Sequence, residues 1–575
     1  MSTIDTQVVV VGGGVTGVAV LRDLARRGIE AVLVERSDLG TGTSGRWHGL
    51  LHSGARYAVR DQESARECIA ENQVLRRIAP HTIEDVGGLF VLLPSDDEAY
   101  AEKLADGCNQ AGIPFERLSG AEARRREPLL TSDVRLAYAV PDAGIDSWAL
   151  LRSMARDATE HGARVLPRHP LIGFERRDGR LSAVRVHDLA RGEDVLIGCE
   201  WVVNAAGAWA GQIGRLAGSP IRMIPGKGVM VVMALRYVRG VVNAMRRPAD
   251  GDIVVPQHEV AILGTTDEKV DDPDDINVSV ADVDKMIEMC SQMIPSIAGG
   301  RALRAFAGSR PLYKPEPEAA DPSSGPGPEP GGAGAAEDRE ISRTFTVIDH
   351  AGREGLENMF SIVGGKLTTC RQMAEALVDR LADRMGVTTP CTTATEPLPG
   401  ADHGTHKLAA PLARVERDGV YGELLCECEL VTRAQVKAAV DAGVQELEDL
   451  RRRFRVGYGP CQGGFCVWRA AAMLAEGSGG AAGQAAAPDD AAAARRGAAG
   501  PDPLVNLERF VEERWRGQRA TIWGDQARQV LLNQAIYRGI FDLGPDVRAD
   551  EAVELPAATG ALAASPAGAG GAGGA

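Results

Sequence analysis

The sequence predicts an α/β fold: a doubly wound, Rossmann-like nucleotide domain with an interleaved mixed-sheet domain, then a small helical unit bearing cysteines and a helical C-terminal tail. Three observations predict it. An apolar strand, QVVVV at residues 7–11, runs directly into Gly12-Gly13-Gly14-Val15-Thr16-Gly17 and a stretch with helical spacing. Strand-like runs (AVLVE, WVVNAAG, AILGTT, FSIVGG) alternate with helical stretches to about residue 398, the order of an α/β domain. Four of the ten cysteines then crowd together, at Cys426, Cys428, Cys461 and Cys466.

The nucleotide end has the context its motif needs. Gly12 permits the tight turn, Gly14 lets the backbone approach a pyrophosphate, and Gly17 lets helix pack on strand. The helix N-terminus offers N–H groups to the anion. Glu35 closes the second strand, AVLV, where a carboxylate accepts from a ribose hydroxyl. This spacing alone does not separate FAD from NAD.

Downstream segments favour FAD. Residues 40–59, GTGTSGRWHGLLHSGARYAV, begin with small residues, Thr43, Ser44 and Gly45 among them, that pass close to a second phosphate or a flavin ring. The same stretch then concentrates His48, His52, Arg56 and Tyr57. VVNAAGAWA (202–210, with Ala206 and Gly207), PGKG (225–228), LGTTD (263–267), AGSRPL (307–312) and IVGGKLTT (362–369) each close a strand with small residues and a polar or cationic one. Residues so far apart meet at one crevice, at the strand ends of an open sheet. Gly365, Lys366, Leu367 and Thr368 are expected on its cofactor side.

Composition bounds the rest. The 575 residues are 44% hydrophobic and 25% charged, ordinary for a large-cored globular chain, and a net charge of −15 argues against a nucleic-acid partner. No apolar run approaches the ~18 residues of a membrane span. The start, MSTIDTQVVVV, carries Asp5 instead of a basic flank. A cytoplasmic location is therefore expected, with the thiols reduced, metal-bound or buried. Three stretches lack the apolar side chains needed to offset ordering entropy: 315–338 reads as a surface insertion, 477–502 as a linker and 556–575 as a frayed, disordered end. The expected domains are 1–398, 420–475 and a helical tail at 503–541.

In the cysteine unit, C-E-C is followed by thirty-two residues and then C-x4-C. Thr432 and Gln435 fit a capping box, and Gly457, Gly459 and Pro460 break the chain before Cys461. Four thiolates in two pairs can hold a 2Fe-2S cluster; structural zinc and an unmetallated core remain alternatives. Arg451, Arg452, Arg453 and Arg455 form either a solvated helix face or a counter-charge to a thiolate-bound cluster.

HGLLHSGARYAV, AGSRPL, ISRTFTVIDH and IVGGKLTT, in this order behind GGGVTG, resemble the FAD-dependent glycerol-3-phosphate dehydrogenases. CEC and CQGGFC extend the likeness to the anaerobic branch of that family and to ferredoxin-like domains of the bacterioferritin-associated type. The resemblance covers 5–475 and 503–541. It implies FAD as hydride acceptor, a 2Fe-2S cluster, and glycerol 3-phosphate as substrate, with Arg310 and Arg343 on the phosphate and Arg56 and Lys366 nearer the flavin. It also implies a companion flavoprotein subunit, a membrane-bound iron–sulfur subunit feeding quinone, peripheral attachment to the membrane through those partners, and room for FMN in the wider complex. His52 is either the proton acceptor or a packed histidine beside the flavin loop, and Tyr57 a substrate contact. Two departures from the family, Cys370 after GGKLTT and Trp47 before HGLLHSG, are expected to alter packing beside the flavin. The competing readings are a related flavoenzyme of an amino acid, opine or 2-hydroxy acid, and a non-catalytic iron–sulfur carrier.

Overall fold

Three consecutive valines, Val8, Val9 and Val10, have no exposed surface, as a strand does when helices or sheet cover both its faces. The structure containing them is a computed structural model that describes residues 2–313, 344–479 and 503–540. The expected insertion and the C-terminal tract lie outside the described residues, as does Arg343. So does most of the expected linker, but its first residues, 477–479, belong to the helix Cys466–Gly479.

The strand Ser2–Val11 pairs in parallel with Ala31–Val34 and with Glu193–Asn204, and Met359–Gly364 extends the same sheet beside Asn204. Their carboxyl ends form one edge. Helices Val15–Arg26, Ser147–Glu160 and Cys370–Met385 pack on this sheet, with Leu21, Leu24, Leu150 and Leu377 in the shared core. Buried Arg22 ties these layers together, donating to Asp157 (2.6 Å) and to the carbonyls of Thr393 (3.1 Å) and Glu396 (2.8 Å).

A second, mixed sheet of nine strands carries the other wall. Its centre is Met223–Met233, antiparallel to Ala302–Tyr313 and to Val260–Gly264. Gly228 therefore faces Gly308, and Met230 faces Gly264.

The cysteine unit is a short hairpin, Leu424–Cys426 with Val431–Thr432, and helices Arg433–Asp441, Leu447–Phe454 and Cys466–Gly479. The capping box read from the sequence is present: Thr432 Oγ1 accepts from the Gln435 N–H, and the Gln435 side chain accepts from the Thr432 N–H.

The tail expected at 503–541 holds two helices. Helix Pro503–Gln518 belongs to a large compact unit, Met1–Thr521, and packs on Cys466–Gly479, whereas Gly524–Ile540 belongs to a second unit, Ile522–Ala575. Gly524, the first residue of that second helix, has φ +57°.

Two glycines are required where the first strand turns into the first helix. Gly12 has φ +113°, and a Cβ there would stand 2.7 Å from the Ala205 carbonyl oxygen; a Cβ on Gly17 would stand 2.0 Å from that of Gly12. Gly17→Ala is accordingly expected to push helix from strand and cost on the order of 1–3 kcal/mol, read as a lower denaturant midpoint with an unchanged slope.

Candidate functional site

The two sheets enclose a cavity of about 460 Å³. Its floor is the turn Gly12–Thr16, its ends are Glu35 and the 364–368 loop, and its sides are residues 40–44 and Ala205–Gly207. Gly14 is the N-cap of Val15–Arg26 and supplies no side chain. Ser44 Oγ takes the Val15 N–H at 3.0 Å. Glu35 Oε2 accepts from the Gly13 N–H at 2.7 Å and Oε1 from the Ser37 N–H at 2.8 Å. Burial raises the Glu35 pKa, and these two N–H groups oppose the shift. Each carboxylate oxygen keeps a second acceptor site for a ribose hydroxyl.

Of the residues expected here, Gly12, Gly14, Glu35, Thr43, Ser44, His52, Ala206, Gly207, Arg310, Gly365, Lys366, Leu367 and Thr368 line the cavity. Gly17 lies beneath the turn and Gly45 against the Gly40 carbonyl and Trp148. Arg56 and Tyr57, expected at the substrate, are not among the residues that line this cavity. Arg56 lies 3.7 Å from fully buried Asp252, and the Lys366 Nζ stands 5.0 Å from the Tyr57 ring centre. Trp47 does line the cavity and donates to Ser147 Oγ at 3.2 Å. Cys370 does not: it is buried in the helix–sheet core, which pushes its thiol up to about 12.

The cations on the wall are braced by carboxylates. Arg310 donates to Asp267 Oδ1 (2.8 Å), Thr265 Oγ1 (2.6 Å) and the Thr266 carbonyl (2.8 Å), so LGTTD sets its orientation. Lys366 Nζ lies 3.8 Å from Glu67, a carboxylate whose pKa burial raises and Lys366 lowers. His52 lies between the rings of His48 and Tyr57, at 5.8 and 5.4 Å, its backbone held by Thr368 and Asn72.

Sequence reasoning gave no role to Arg46, His48 or Glu67. Arg46 and His48 line the cavity, and the available signal was their place inside the glycine-rich 40–54 segment. Burial, with Arg56 and Arg310 nearby, lowers the His48 pKa to about 3.

In the cysteine unit Cys426 and Cys428 Sγ are 3.8 Å apart. Sulfur contacts also join Cys428 to Cys461, Cys461 to Cys466 and Cys426 to Cys466, closing a ring of four. Cys461 is the thiol held lowest, through hydrogen bonds from Cys428 and Cys466 and then from the Gly463 and Phe465 N–H groups. No three His, Cys, Asp or Glu side chains among the described residues close around a single ion. A ring of pairwise contacts suits a cluster with two cysteines on each iron.

The arginine run is not the solvated face considered from sequence, since only Arg453 is exposed. Arg451 pairs with Glu448 and lies 5.0 Å from the Tyr458 ring centre, while Arg455 Nε lies 3.4 Å from Glu429. Arg452 crosses to the cofactor loop and donates to Asp38 (2.5 Å) and Asp449 (3.1 Å). Trp148, against Gly40 and Gly45 on one side, meets Tyr458 on the other with ring centres 5.2 Å apart. His258 Nδ1 and Glu429 Oε2, 3.2 Å apart, add a third link.

Residues 7–380 match the FAD dependent oxidoreductase family, and residues 424–476 match the BFD-like [2Fe-2S] binding domain. The A1 chain of the anaerobic glycerol-3-phosphate dehydrogenase of Haloferax volcanii is 40% identical, covering 95% of this chain and 92% of that protein. The A chain of the Escherichia coli K12 enzyme is 38% identical, covering 94% and 98%. The chain belongs to the FAD-dependent oxidoreductases, among the A chains of the anaerobic glycerol-3-phosphate dehydrogenases. Its cofactors are FAD and a 2Fe-2S cluster, which settles the alternatives of NAD and zinc. The fold is shared with the glycerol-3-phosphate dehydrogenase from Bacillus halodurans (TM-score 0.53, 21% identity, 94% and 95% covered) and with L-proline dehydrogenase from P. horikoshii (TM-score 0.52, 20% identity, 70% and 100% covered). No helix among the described residues is long and apolar enough to cross a membrane.

Two outcomes are expected. Cys461→Ser abolishes the electron paramagnetic resonance signal of the reduced cluster while leaving the flavin content per chain unchanged. The second concerns Asp449, whose carboxyl is raised from 3.8 to about 7 by burial and then by Asp38. A raised folded-state pKa contributes stability that is full below the unfolded value and lost as pH rises through the folded one. Wild-type melting temperature should therefore fall between about pH 4 and about pH 7, and Asp449→Asn should flatten that slope in a calorimetric scan.

Proposed function

We propose that this chain oxidises sn-glycerol 3-phosphate to dihydroxyacetone phosphate. Electrons then pass through the 2Fe-2S unit to two partners, a companion flavoprotein and a membrane-bound iron–sulfur protein that reduces quinone. The observation that carries the reading is Arg310, a guanidinium aimed by Asp267 and Thr265 at the wall of a flavin cavity, in a chain whose anaerobic-dehydrogenase relatives match 94–95% of its length.

Bound FAD supplies the hydride acceptor for the secondary carbinol carbon, and the cluster supplies one-electron capacity for returning two electrons singly. The protein's own groups do the rest. Arg310 takes the phosphate bidentately, as a planar fork does, and Arg343 joins it as the second phosphate cation. Lys366, steadied by Glu67, and Arg56 hold the reacting end, with Tyr57 as a further substrate contact. His52, which lines the cavity, accepts the hydroxyl proton at a ring nitrogen, the role of a general base. Phe465, 63% exposed between Cys461 and Cys466, supports a docking partner beside the cluster. Membrane association then comes through the partner subunits, and the chain itself stays on the cytoplasmic side.

The test is anaerobic. Adding sn-glycerol 3-phosphate to the purified holoprotein should bleach the flavin band, and Arg310→Ala should lower kcat/KM on the order of 10²-fold or more. Bleaching by an amino acid or 2-hydroxy acid and not by glycerol 3-phosphate would replace this reading with that of a related flavoenzyme.

A further inference from the structure

His48 and His52 are four residues apart, and the fold gives them opposite chemistry. The Gly49 carbonyl accepts from the Ile145 N–H (2.8 Å) and from Gln257 Nε2 (3.1 Å), and Leu50–Leu51 pairs with residues 143–144. This backbone is therefore fixed, and it points the Leu50 N–H at His48 Nδ1, 3.2 Å away. A ring nitrogen that accepts a hydrogen bond carries no proton, so the proton of the neutral imidazole sits on Nε2. The ring thus offers the cavity a donor and no basic lone pair. A second proton is opposed by burial and by Arg56 and Arg310, while His52, from the same segment, meets the ring edge-on at 5.8 Å.

Position gives the donor its target. The imidazole lies over Gly264, its Cβ and Cδ2 3.6 and 3.7 Å from where a Cβ on that glycine would stand. Gly264 pairs with Met230, and two residues along the same strand the Arg310 guanidinium lies over Gly228. Side chains two apart on a strand, and those directly opposite across a pair, share a face. His48 and Arg310 therefore cover neighbouring parts of one sheet face, and both line the cavity.

We infer that His48 is a specificity residue: its Nε2–H donates to an oxygen of the phosphate that Arg310 holds, and the ring takes no proton during the reaction. This deepens the proposed function and rests on its assignment of Arg310 to phosphate. A neutral donor adds direction among the cations of the site without adding to their mutual repulsion. It also discriminates, because a polyol or 2-hydroxy acid with no oxyanion at that place leaves a buried N–H unpaired, and sites that hydrogen-bond a substrate group reject analogues lacking it.

The experiment compares the wild-type holoprotein with His48→Phe, His48→Leu and His48→Gln, each first assayed for flavin content. Anaerobic stopped-flow reduction by sn-glycerol 3-phosphate gives the limiting rate and the half-saturating concentration. A parallel titration of the oxidised protein with inorganic phosphate, followed by perturbation of the flavin spectrum, gives binding without turnover. The two apolar variants should raise both the half-saturating concentration and the phosphate dissociation constant roughly 10- to 100-fold. The limiting rate should change far less, with its pH midpoints unmoved. His48→Gln, which keeps a side-chain N–H, should recover most of the affinity. Unchanged phosphate binding in both apolar variants overturns the inference, and so does loss of an ionisation from the pH profile of the limiting rate, which would make His48 the base. If glycerol 3-phosphate fails to reduce the wild type, the functional reading fails, while the inorganic phosphate titration still decides whether His48 contacts that anion.

Discussion

The parallel pairing of Ser2–Val11 with Ala31–Val34 on one side and Glu193–Asn204 on the other brings Val11, Val34 and Asn204 to a common edge. Gly12, Glu35 and Ala205 follow these residues directly, so cofactor contacts from three distant segments are positioned by one hydrogen-bonded ladder. The tolerances are small. Gly12 and Gly17 both approach backbone oxygens at distances that exclude a Cβ, which links the position of the first helix to the strand that opens the site. The helix N-terminus then meets the cavity with its N–H groups, as anion sites in this architecture require.

Cations from three places, Arg310 on the second sheet, Lys366 after the strand Met359–Gly364 and Arg56 on the turn Ala55–Tyr57, add charge to that frame with restraint. Arg310 is backed by Asp267, Lys366 by Glu67 and Arg56 by Asp252. A bare guanidinium or ammonium in a closed cavity carries a large desolvation cost, and a carboxylate behind it offsets that cost while fixing its direction. The same carboxylates dilute the charge offered to an anionic ligand. Orientation, bidentate geometry and neutral donors such as the proposed His48 contact consequently matter more than a count of cations.

That balance also explains what the sequence made legible. GGGVTG and its flanking strands act locally, since turn, helix and strand are all encoded within thirty residues, and Thr432 with Gln435 is as local. The setting of Arg56 was not legible, because its partner Asp252 lies far along the chain, just before the strand Ile253–Gln257. Cys370 follows a loop that lines the cavity, yet it begins a helix whose inward face is core, so proximity in sequence misled. The sequence left a solvated face open for the arginine run because the partners Asp38 and Tyr458 belong to other elements. Nothing in the run QRATIWG, residues 518–524, announced that the large compact unit ends at Thr521.

The placement of those arginines bears on how two redox sites share one chain. The junction is built from the residues that flank the cluster ligands themselves: Glu429 follows Cys428 and reaches His258, and Tyr458 precedes Cys461 and meets Trp148. Arg452, on the helix leading into the cysteine turn, ends on Asp38 of the loop after Glu35. A shift of the cysteine unit would have to break contacts within three residues of its own ligands, and it would pull on the cofactor loop at the same time. Because electron transfer between two centres depends steeply on their separation, a junction anchored beside both sites holds that separation more tightly than a flexible linker with the same sequence length could.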